Sequence, residues 1–591
     1  MIVTLSQIDI YYLAEVKSFM KIYNAEKSYK AKENSVVGVI NLNDYVNPDY
    51  KIKDAWINVG GWQSWNPGFE VGPGKIQPSL KCHLIKGWNQ YLVFPETKFK
   101  PSKNQVLGQF VCYLRWNDFY LLFASVGNVN NASWAVNGLA GRKIAGEASD
   151  FSGNDDFLPP VQFIFDRKKN QVLLEICDKN QTWEKGQIQA KIEIFTADSY
   201  FDCKNKLKEI FGSNHFEKIE GLGKNPGGWE SWYNHYANIN EKLIVEDLAA
   251  LNQSQNIITK GNFSSRIFQI DDGWEKNLGD WDFREDRFPQ GLKNLAGKIE
   301  NQSYIPGLWL APFIIDSRSQ TAKNHPDWLL QKENGRFVVA GFNPLWGKNG
   351  SFYCLDLSNN EVLNHLDRIM DKVINDWGFR YLKLDFLYAG ILYGKGQADD
   401  AAYKFYLRAV KKLTSRRQTK AGKPVFYLGC GLPFELSFNY FPLSRIGCDT
   451  YEKWENSLSK KLNWNGRNSA YLNLKDTLGH ALWDKTIFAN DPDVLFIRKE
   501  NCWLSLAEKE LIAKVDILFG SQLMYSDDPA KSSSEEEKLT GEILDFWEKY
   551  KDEEFGLRQT GADFYEIFSK SGKYKGQINL GKDHYLLIEE K

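Results

Sequence analysis

Tyr381-Leu382-Lys383-Leu384-Asp385-Phe386 is a short apolar run that ends in an acid, and further on comes a second, Ser444-Arg445-Ile446-Gly447-Cys448-Asp449-Thr450. Each reads as a buried strand that sets a carboxylate at its C-terminal end, where a (β/α)8 barrel keeps its chemistry. Lys383 and Asp385 are two apart and so share one strand face. A lysine beside an aspartate favours the charged pair, and a charged carboxylate is what a nucleophile requires. Arg445 and Asp449 are four apart across a strand-to-loop transition, where spacing does not fix the geometry.

Each acid also has a plainer reading. Asp385 could cap a helix that follows the strand, although Lys383 on the same face weighs against this, because a lysine inside a barrel is costly unless paired. Asp449 could form a structural ion pair with Arg445. A general acid has to keep its proton, so Arg445 must address the substrate or turn away from Asp449 if that role is to hold.

Outward from these runs, strand-like segments at 227–232, 266–271, 307–315, 380–386, 425–430, 444–449, 486–491 and 515–524 alternate with helical segments near 241–255, 292–301, 361–377 and 398–416. Eight strands with intervening helices predict an α/β fold, a (β/α)8 TIM barrel over 216–527. Before it, residues 1–215 carry short alternating runs broken by Gly, Asn, Pro and Asp, for example at 105–125 and 171–177. That pattern predicts an N-terminal β-sandwich domain. From 528 to 591 a charged helical stretch gives way to strand-like sequence, which predicts a small C-terminal β domain.

Another strand runs into acid at Phe268-Gln-Ile-Asp-Asp-Gly-Trp274. Adjacent carboxylates repel unless each has a partner, and sugar hydroxyls are suitable donors. A divalent cation or a loop cap would also satisfy Asp271 and Asp272. Asn490-Asp491-Pro492-Asp493 ends a further strand and reads as a turn that supports its neighbours.

The chain of 591 residues has a net charge of −1, so it lacks the basic excess of a nucleic-acid or anionic-membrane binder. Aromatic residues reach 14% and include 20 Trp, side chains that serve as platforms for sugar rings as well as core filling. The eight cysteines show no C-x-x-C or paired spacing, which speaks against a zinc site or a disulfide scaffold. The seven histidines show no metal-ligand spacing, and no G-x-S-x-G, phosphate loop or dinucleotide fingerprint occurs. The N-terminus lacks a leader pattern and no stretch approaches membrane-span length, so a soluble cytoplasmic protein is expected.

Taken in order, Trp229-Glu-Ser-Trp-Tyr233, Asp271-Asp-Gly-Trp274, Gly307-Leu-Trp-Leu-Ala-Pro312, His325-Pro-Asp-Trp328, Tyr381-Leu-Lys-Leu-Asp385, Gly429-Cys-Gly431, Arg445-Ile-Gly-Cys-Asp449 and Asn490-Asp-Pro-Asp493 resemble glycoside hydrolase family 36, the α-galactosidases of clan D. The resemblance spans the barrel, and Trp62-Gln-Ser-Trp65 resembles the family's first domain. It implies a retaining α-galactosidase with Asp385 as nucleophile and Asp449 as acid/base. It also implies that Asp271 and Asp272 hold the 4- and 6-hydroxyls of galactose, and that Lys383 and Arg445 contact neighbouring hydroxyls. Trp309, Tyr233 and Cys430 would line the pocket, and Trp65 would close it from the sandwich. The implied partners are α-galactoside oligosaccharides, with no metal or other cofactor, no nucleic acid and no membrane; homo-oligomer formation is left open. Two features depart from the pattern: Cys448 stands where another small residue or Pro is usual, and the chain is shorter than the large bacterial members. The competing readings are a raffinose-synthase-like galactosyl transferase, an α-N-acetylgalactosaminidase, a non-catalytic sugar-binding barrel, and a metal-dependent barrel enzyme built on Asp271, Asp272 and Asp385.

Overall fold

The computed structural model describes residues 8–12, 18–24, 36–66, 68–77, 102–126, 160–176, 188–212, 219–253, 256–343, 346, 350–395, 402–461, 467–531 and 533–591. Eight parallel strands form the central barrel. They are β1 (Gly227–Glu230), β2 (Arg266–Ile270), β3 (Ile305–Leu310), β4 (Tyr381–Leu384), β5 (Phe426–Gly429), β6 (Leu443–Arg445), β7 (Ala489–Asp491, resuming at Val494–Leu495) and β8 (Leu523–Tyr525). Strands β1 to β7 pair in sequence order, and β8 pairs with β1.

The ring closes through β7, whose first half pairs with β6 and whose second half pairs with β8. The break between the halves is Pro492-Asp493, and Asp493 sits at φ 90°. Proline cannot donate to a ladder, so the chain changes partners where one ladder bond is already missing.

The barrel strands are apolar because both their faces are covered, as in β4, where every residue is buried. The helix before β4, Asn360–Asp371, starts at Asn359, whose side chain accepts the Glu361 N–H at 2.8 Å. Its buried face is Val362, Leu363, Leu366, Ile369 and Met370, at helical spacing. It runs on through a π turn, Lys372–Trp377, and stops at Gly378, which takes φ 92° and so reverses the chain into β4.

Two of the expected strands are corrected. The segment 515–524 is mostly helix: Leu506–Phe519 runs through it, and only Leu523–Tyr525 is strand. The helix begins at a reciprocal cap in which Ser505 and Glu508 bond each other's backbone, which fixes its start. The segment 307–315 is also two pieces. β3 ends at Leu310, and Ile314–Ile315 joins Val339–Phe342 and Ser351–Cys354 in a small antiparallel sheet.

N-terminal to the barrel, a seven-stranded and a four-stranded antiparallel sheet make up the sandwich. Its own apolar core includes Ile57, Leu114, Phe123, Phe163, Phe165 and Ile194. The helix Ser534–Tyr550, beyond the expected boundary at 528, packs on Leu506–Phe519, and a four-stranded sheet over Phe555–Glu590 follows. The six described cysteines are all free thiols; Cys82 and Cys177 lie outside the described residues. Among the described residues no helix is long and apolar enough to cross a membrane.

What positions the site is the docking of sandwich on barrel. The Trp62–Trp65 stretch lies along the loop after β5 like an added strand: Ser64 N donates to Leu432 O (3.2 Å), Leu432 N to Ser64 Oγ (3.0 Å) and Phe434 N to Trp62 O (2.9 Å). Close by, His480 Nε2 lies 2.6 Å from Gly60 O. A Cβ at Gly479 would stand 2.3 Å from the carbonyl oxygen of Gly68, so glycine is required for this approach. Buried Glu435, from the barrel, reaches across to the Ser125 hydroxyl and the Val161 N–H of the sandwich.

Candidate active site

Strand β4 ends at Leu384, so Asp385 is the first residue beyond the ladder, at the C-terminal mouth of the barrel. Its N–H still reaches Leu310 O at 2.8 Å, which holds the main chain in register. The next residue, Phe386, takes the left-handed conformation (φ 53°), uncommon for an aromatic side chain. That turn aims the Phe386 N–H at Asp385 Oδ1, 2.7 Å away, while Trp309 Nε1 donates to Oδ2 at 3.1 Å. The carboxyl group is thus held in place by two N–H donors, one on each oxygen.

Asp271 and Asp272 follow β2 in the same way. Asp271 Oδ2 receives Lys383 Nζ and Gln269 Nε2, each at 2.8 Å, and its other oxygen takes the Asp272 N–H at 3.0 Å. Asp272 Oδ2 accepts from Trp346 Nε1 at 3.2 Å. Burial, together with the charge of Glu275, holds the Asp272 carboxyl well above the usual carboxylate range. The loop turns on Gly273 at φ 112°, where a Cβ would stand 2.6 Å from Ala237 O. Burial acts against the charge of Lys383, but Asp271 and Glu230, the latter 3.8 Å away, outweigh it and keep the ammonium well above its ordinary value.

Beyond β6, Asp449 stands at the opening with its side chain 37% exposed. Loss of hydration and the negative charge of Asp493 push its carboxyl up to about 7, against the pull of Arg445. Arg445 is itself buried and bound by three carboxylates. Its Nε donates to Asp491 at 3.0 Å, Nη2 lies 2.7 Å from Asp493 and Nη1 lies 3.3 Å from Asp449. The contact with Asp449 is the longest of the three.

Trp65, Tyr233, Asp271, Asp272, Trp309, Lys383, Asp385 and Asp449, all singled out in the sequence, line one cavity of about 310 Å³. The other two residues singled out, Cys430 as pocket lining and Arg445 as a hydroxyl contact, lie deeper. Cys430 and Arg445 are buried and not part of the cavity surface; burial and the charge of nearby Asp385 push the Cys430 thiol up. Trp232, Trp346, Phe352, Phe386 and Tyr388 also line the cavity but were not singled out. Trp346 and Phe352 come from the small antiparallel sheet and its loop, a region with no periodic signal. Phe386 and Trp65 pack edge to face, centroids 5.2 Å apart.

With partners in place for every acid, the cavity can orient a small polyhydroxylated molecule against aromatic walls, beside Asp385, held by two N–H donors, and Asp449, whose carboxyl is raised. Asp385, Asp272 and Asp271 each accept from a side-chain donor, namely Trp309, Trp346 and Lys383. Among the described residues no group of three or more His, Cys, Asp or Glu side chains is arranged to hold a metal ion.

Comparison with known proteins gives a consistent set of likenesses. The Melibiase family model matches residues 225–424, which run from just before β1 to just before β5. Alpha-galactosidase 1 of Pediococcus pentosaceus is 27% identical over 229 residues, 36% of this chain and 28% of that protein. Alpha-galactosidase AgaA of Geobacillus stearothermophilus is 28% identical over 163 residues, 26% of this chain and 20% of that protein. The aligned part of the chain therefore spans about a quarter of the length of these relatives. Among solved structures, the Thermus thermophilus alpha-galactosidase in complex with stachyose superposes with a TM-score of 0.64 at 23% identity, covering 92% of this chain and 99% of that one. The GH36 enzyme AgaA superposes with a TM-score of 0.58 at 14% identity, covering 95% of this chain and 71% of that one. These likenesses establish the shared fold.

Proposed function

We propose that the chain is a retaining α-galactosidase of glycoside hydrolase family 36, clan D, which removes terminal α-linked galactose from oligosaccharides. The observation that carries this reading is the pairing, in one small cavity, of a carboxylate fixed by two N–H donors with a carboxyl that holds its proton to about pH 7. The two environments differ in the way an acid and a nucleophile need.

In the first half of the reaction Asp385 attacks the anomeric carbon and the bond to the leaving oxygen breaks as Asp449 gives that oxygen its proton. The sugar is then esterified to Asp385. In the second half Asp449, now a carboxylate, takes a proton from water, the water oxygen attacks the same carbon, and Asp385 departs. Two inversions return the original anomer. A retaining pair requires carboxyl groups about 5 to 5.5 Å apart, against about 6.5 Å or more for an inverting one.

Asp271 and Asp272 hold the 4- and 6-hydroxyls, with Lys383 and the Trp346 N–H fixing those carboxylates. Trp309, Tyr233 and Trp65 enclose the ring. Arg445 and Cys430, one layer back, support the side that faces the 2-hydroxyl. The α-galactosidases among the relatives and the stachyose complex of the Thermus enzyme support the same substrate class. The domain division is 1–215, 216–527 and 528–591, with Ser534–Tyr550 serving the barrel. The free thiols suit a cytoplasmic location.

The deciding experiment compares hydrolysis of nitrophenyl α-galactoside with that of the α-glucoside and follows the anomer released by NMR. Preference for the galactoside with retention is expected. Preference for the glucoside overturns the assignment of Asp271 and Asp272 to an axial hydroxyl, and release of the β-anomer overturns the double displacement.

A further inference from the structure

An acid that lies 3.3 Å from a buried guanidinium should lose its proton easily, yet Asp449 keeps its own to about 7. Burial is the larger cause and the charge of Asp493 the next, and the contacts of Asp493 tie it to both the acid and the guanidinium. Asp493 occupies the break in β7 at φ 90°, a conformation that is strained for a side-chain-bearing residue and persists only when its surroundings hold it. Three contacts hold it. Oδ1 lies 2.7 Å from Arg445 Nη2, and Oδ2 accepts both the Tyr233 hydroxyl at 2.6 Å and the Thr450 N–H at 3.0 Å. Thr450 is the residue after Asp449, and Tyr233 lines the cavity. One buried carboxylate therefore touches the guanidinium, the main chain that carries the acid and the wall beside it.

We propose that Asp493 is the positioning residue for the acid: it anchors the Asp449 loop through Thr450 and occupies the guanidinium of Arg445, so that Asp449 is free to carry and deliver a proton. The proposal rests on the reading of Asp449 as acid/base. Several charged or titratable groups face Asp449: Arg445 from β6, Asp493 from the β7 break, Asp385 and Lys383 from β4, and Tyr233 after β1. Asp491, from the first half of β7, acts through its bond to Arg445 Nε. Cys430 and Cys448 are also near, each with a thiol raised by burial. Of these, Asp385 acts on Asp449 in the same direction as Asp493, whereas Arg445 and Lys383 act against it.

Replacing Asp493 by Asn removes one negative charge near Asp449 and one partner of Arg445, while an amide oxygen remains for the Thr450 N–H. Both losses favour the ionised form of Asp449. In D493N the alkaline limb of kcat/KM on nitrophenyl α-galactoside is expected to move toward acid by about one pH unit. Loss of proton delivery hurts poor leaving groups most, so activity on raffinose is expected to fall at least about tenfold more than activity on the nitrophenyl glycoside. D491N, which frees the same guanidinium at Nε, is expected to move the limb in the same direction and keeps the test decisive should D493N fail to fold. A limb that stays in place in both variants, with the two substrates losing equally, overturns the positioning role alone. A parent chain that hydrolyses no α-galactoside overturns this role together with the reading beneath it.

Discussion

Lys383 Nζ lies 2.8 Å from Asp271 Oδ2 in a setting where the two side chains are 7% and 4% exposed. An ion pair this deep is costly to break from one side, because the remaining charge stays buried without a partner. Lys383→Met leaves Asp271 and Glu230 facing each other across the vacated position. The expected result is a loss of about 3–5 kcal/mol in stability together with weaker galactoside binding, read by denaturant unfolding and KM. An unchanged unfolding midpoint would show that the pair contributes little.

Asp385→Gly removes the nucleophile and opens space where its carboxylate stood. Activity on nitrophenyl α-galactoside is expected to fall on the order of 10³-fold or more. Added azide should restore turnover and yield the β-galactosyl azide. Failure of azide to rescue a folded D385G counts against Asp385 as the attacking group.

The pH profile follows from Asp449, whose carboxyl is pushed up to about 7. The protonated form delivers the proton, so on the alkaline side kcat/KM should decline tenfold per unit above that value. Asp449→Asn should abolish the alkaline limb and leave residual activity only on activated aryl glycosides. An alkaline limb that persists in D449N belongs to a different group.

Trp65 belongs to the sandwich but packs against Phe386 and Tyr388 at the cavity wall. Trp65→Ala removes an aromatic wall worth on the order of 1–1.5 kcal/mol in binding. KM should rise about tenfold with a smaller change in kcat. Equal KM in parent and variant would place the ring outside the substrate's reach.

Glu435 is buried where barrel meets sandwich, and burial pushes its carboxyl from 4.5 up to about 8. An acid raised in the folded state binds more protons folded than unfolded, so its neutral form is retained at low pH and a stability cost builds as pH rises from about 4.5 to about 8. Glu435→Gln removes that cost. Its melting temperature should match the parent near pH 5 and exceed it by a few degrees at pH 8 to 9, as read by calorimetry. A constant difference at every pH would trace the effect to packing.

Much of the barrel was legible because parallel strands covered on both faces must be apolar, and chemistry at their C-terminal ends leaves acids there. Asp271, Asp385 and Asp449 all carried that signature. The run Val515-Asp-Ile-Leu-Phe519 misled for the same reason, since a short apolar run looks alike in a buried strand and a buried helix. The Ser505–Glu508 cap was the signal that separates them. Trp346 was out of reach: it reaches Asp272 from a loop beside a small inserted sheet, and no spacing rule links it to β2. Asp493 was read as a turn residue. Its sequence context shows only Asp-Pro-Asp, whereas its importance comes from Arg445 and Thr450, brought to it by strand pairing.

The cavity draws its walls from sandwich and barrel, with Trp65 supplied by the first and Asp385 by the second, and one apolar core runs from the barrel into the sandwich through Phe110, Leu122 and Phe195. Any molecule seated there binds only while the two are docked, so its binding free energy belongs to their union and not to either part alone. Saturation with such a molecule should therefore raise the melting of sandwich and barrel together, by an amount that grows with its concentration.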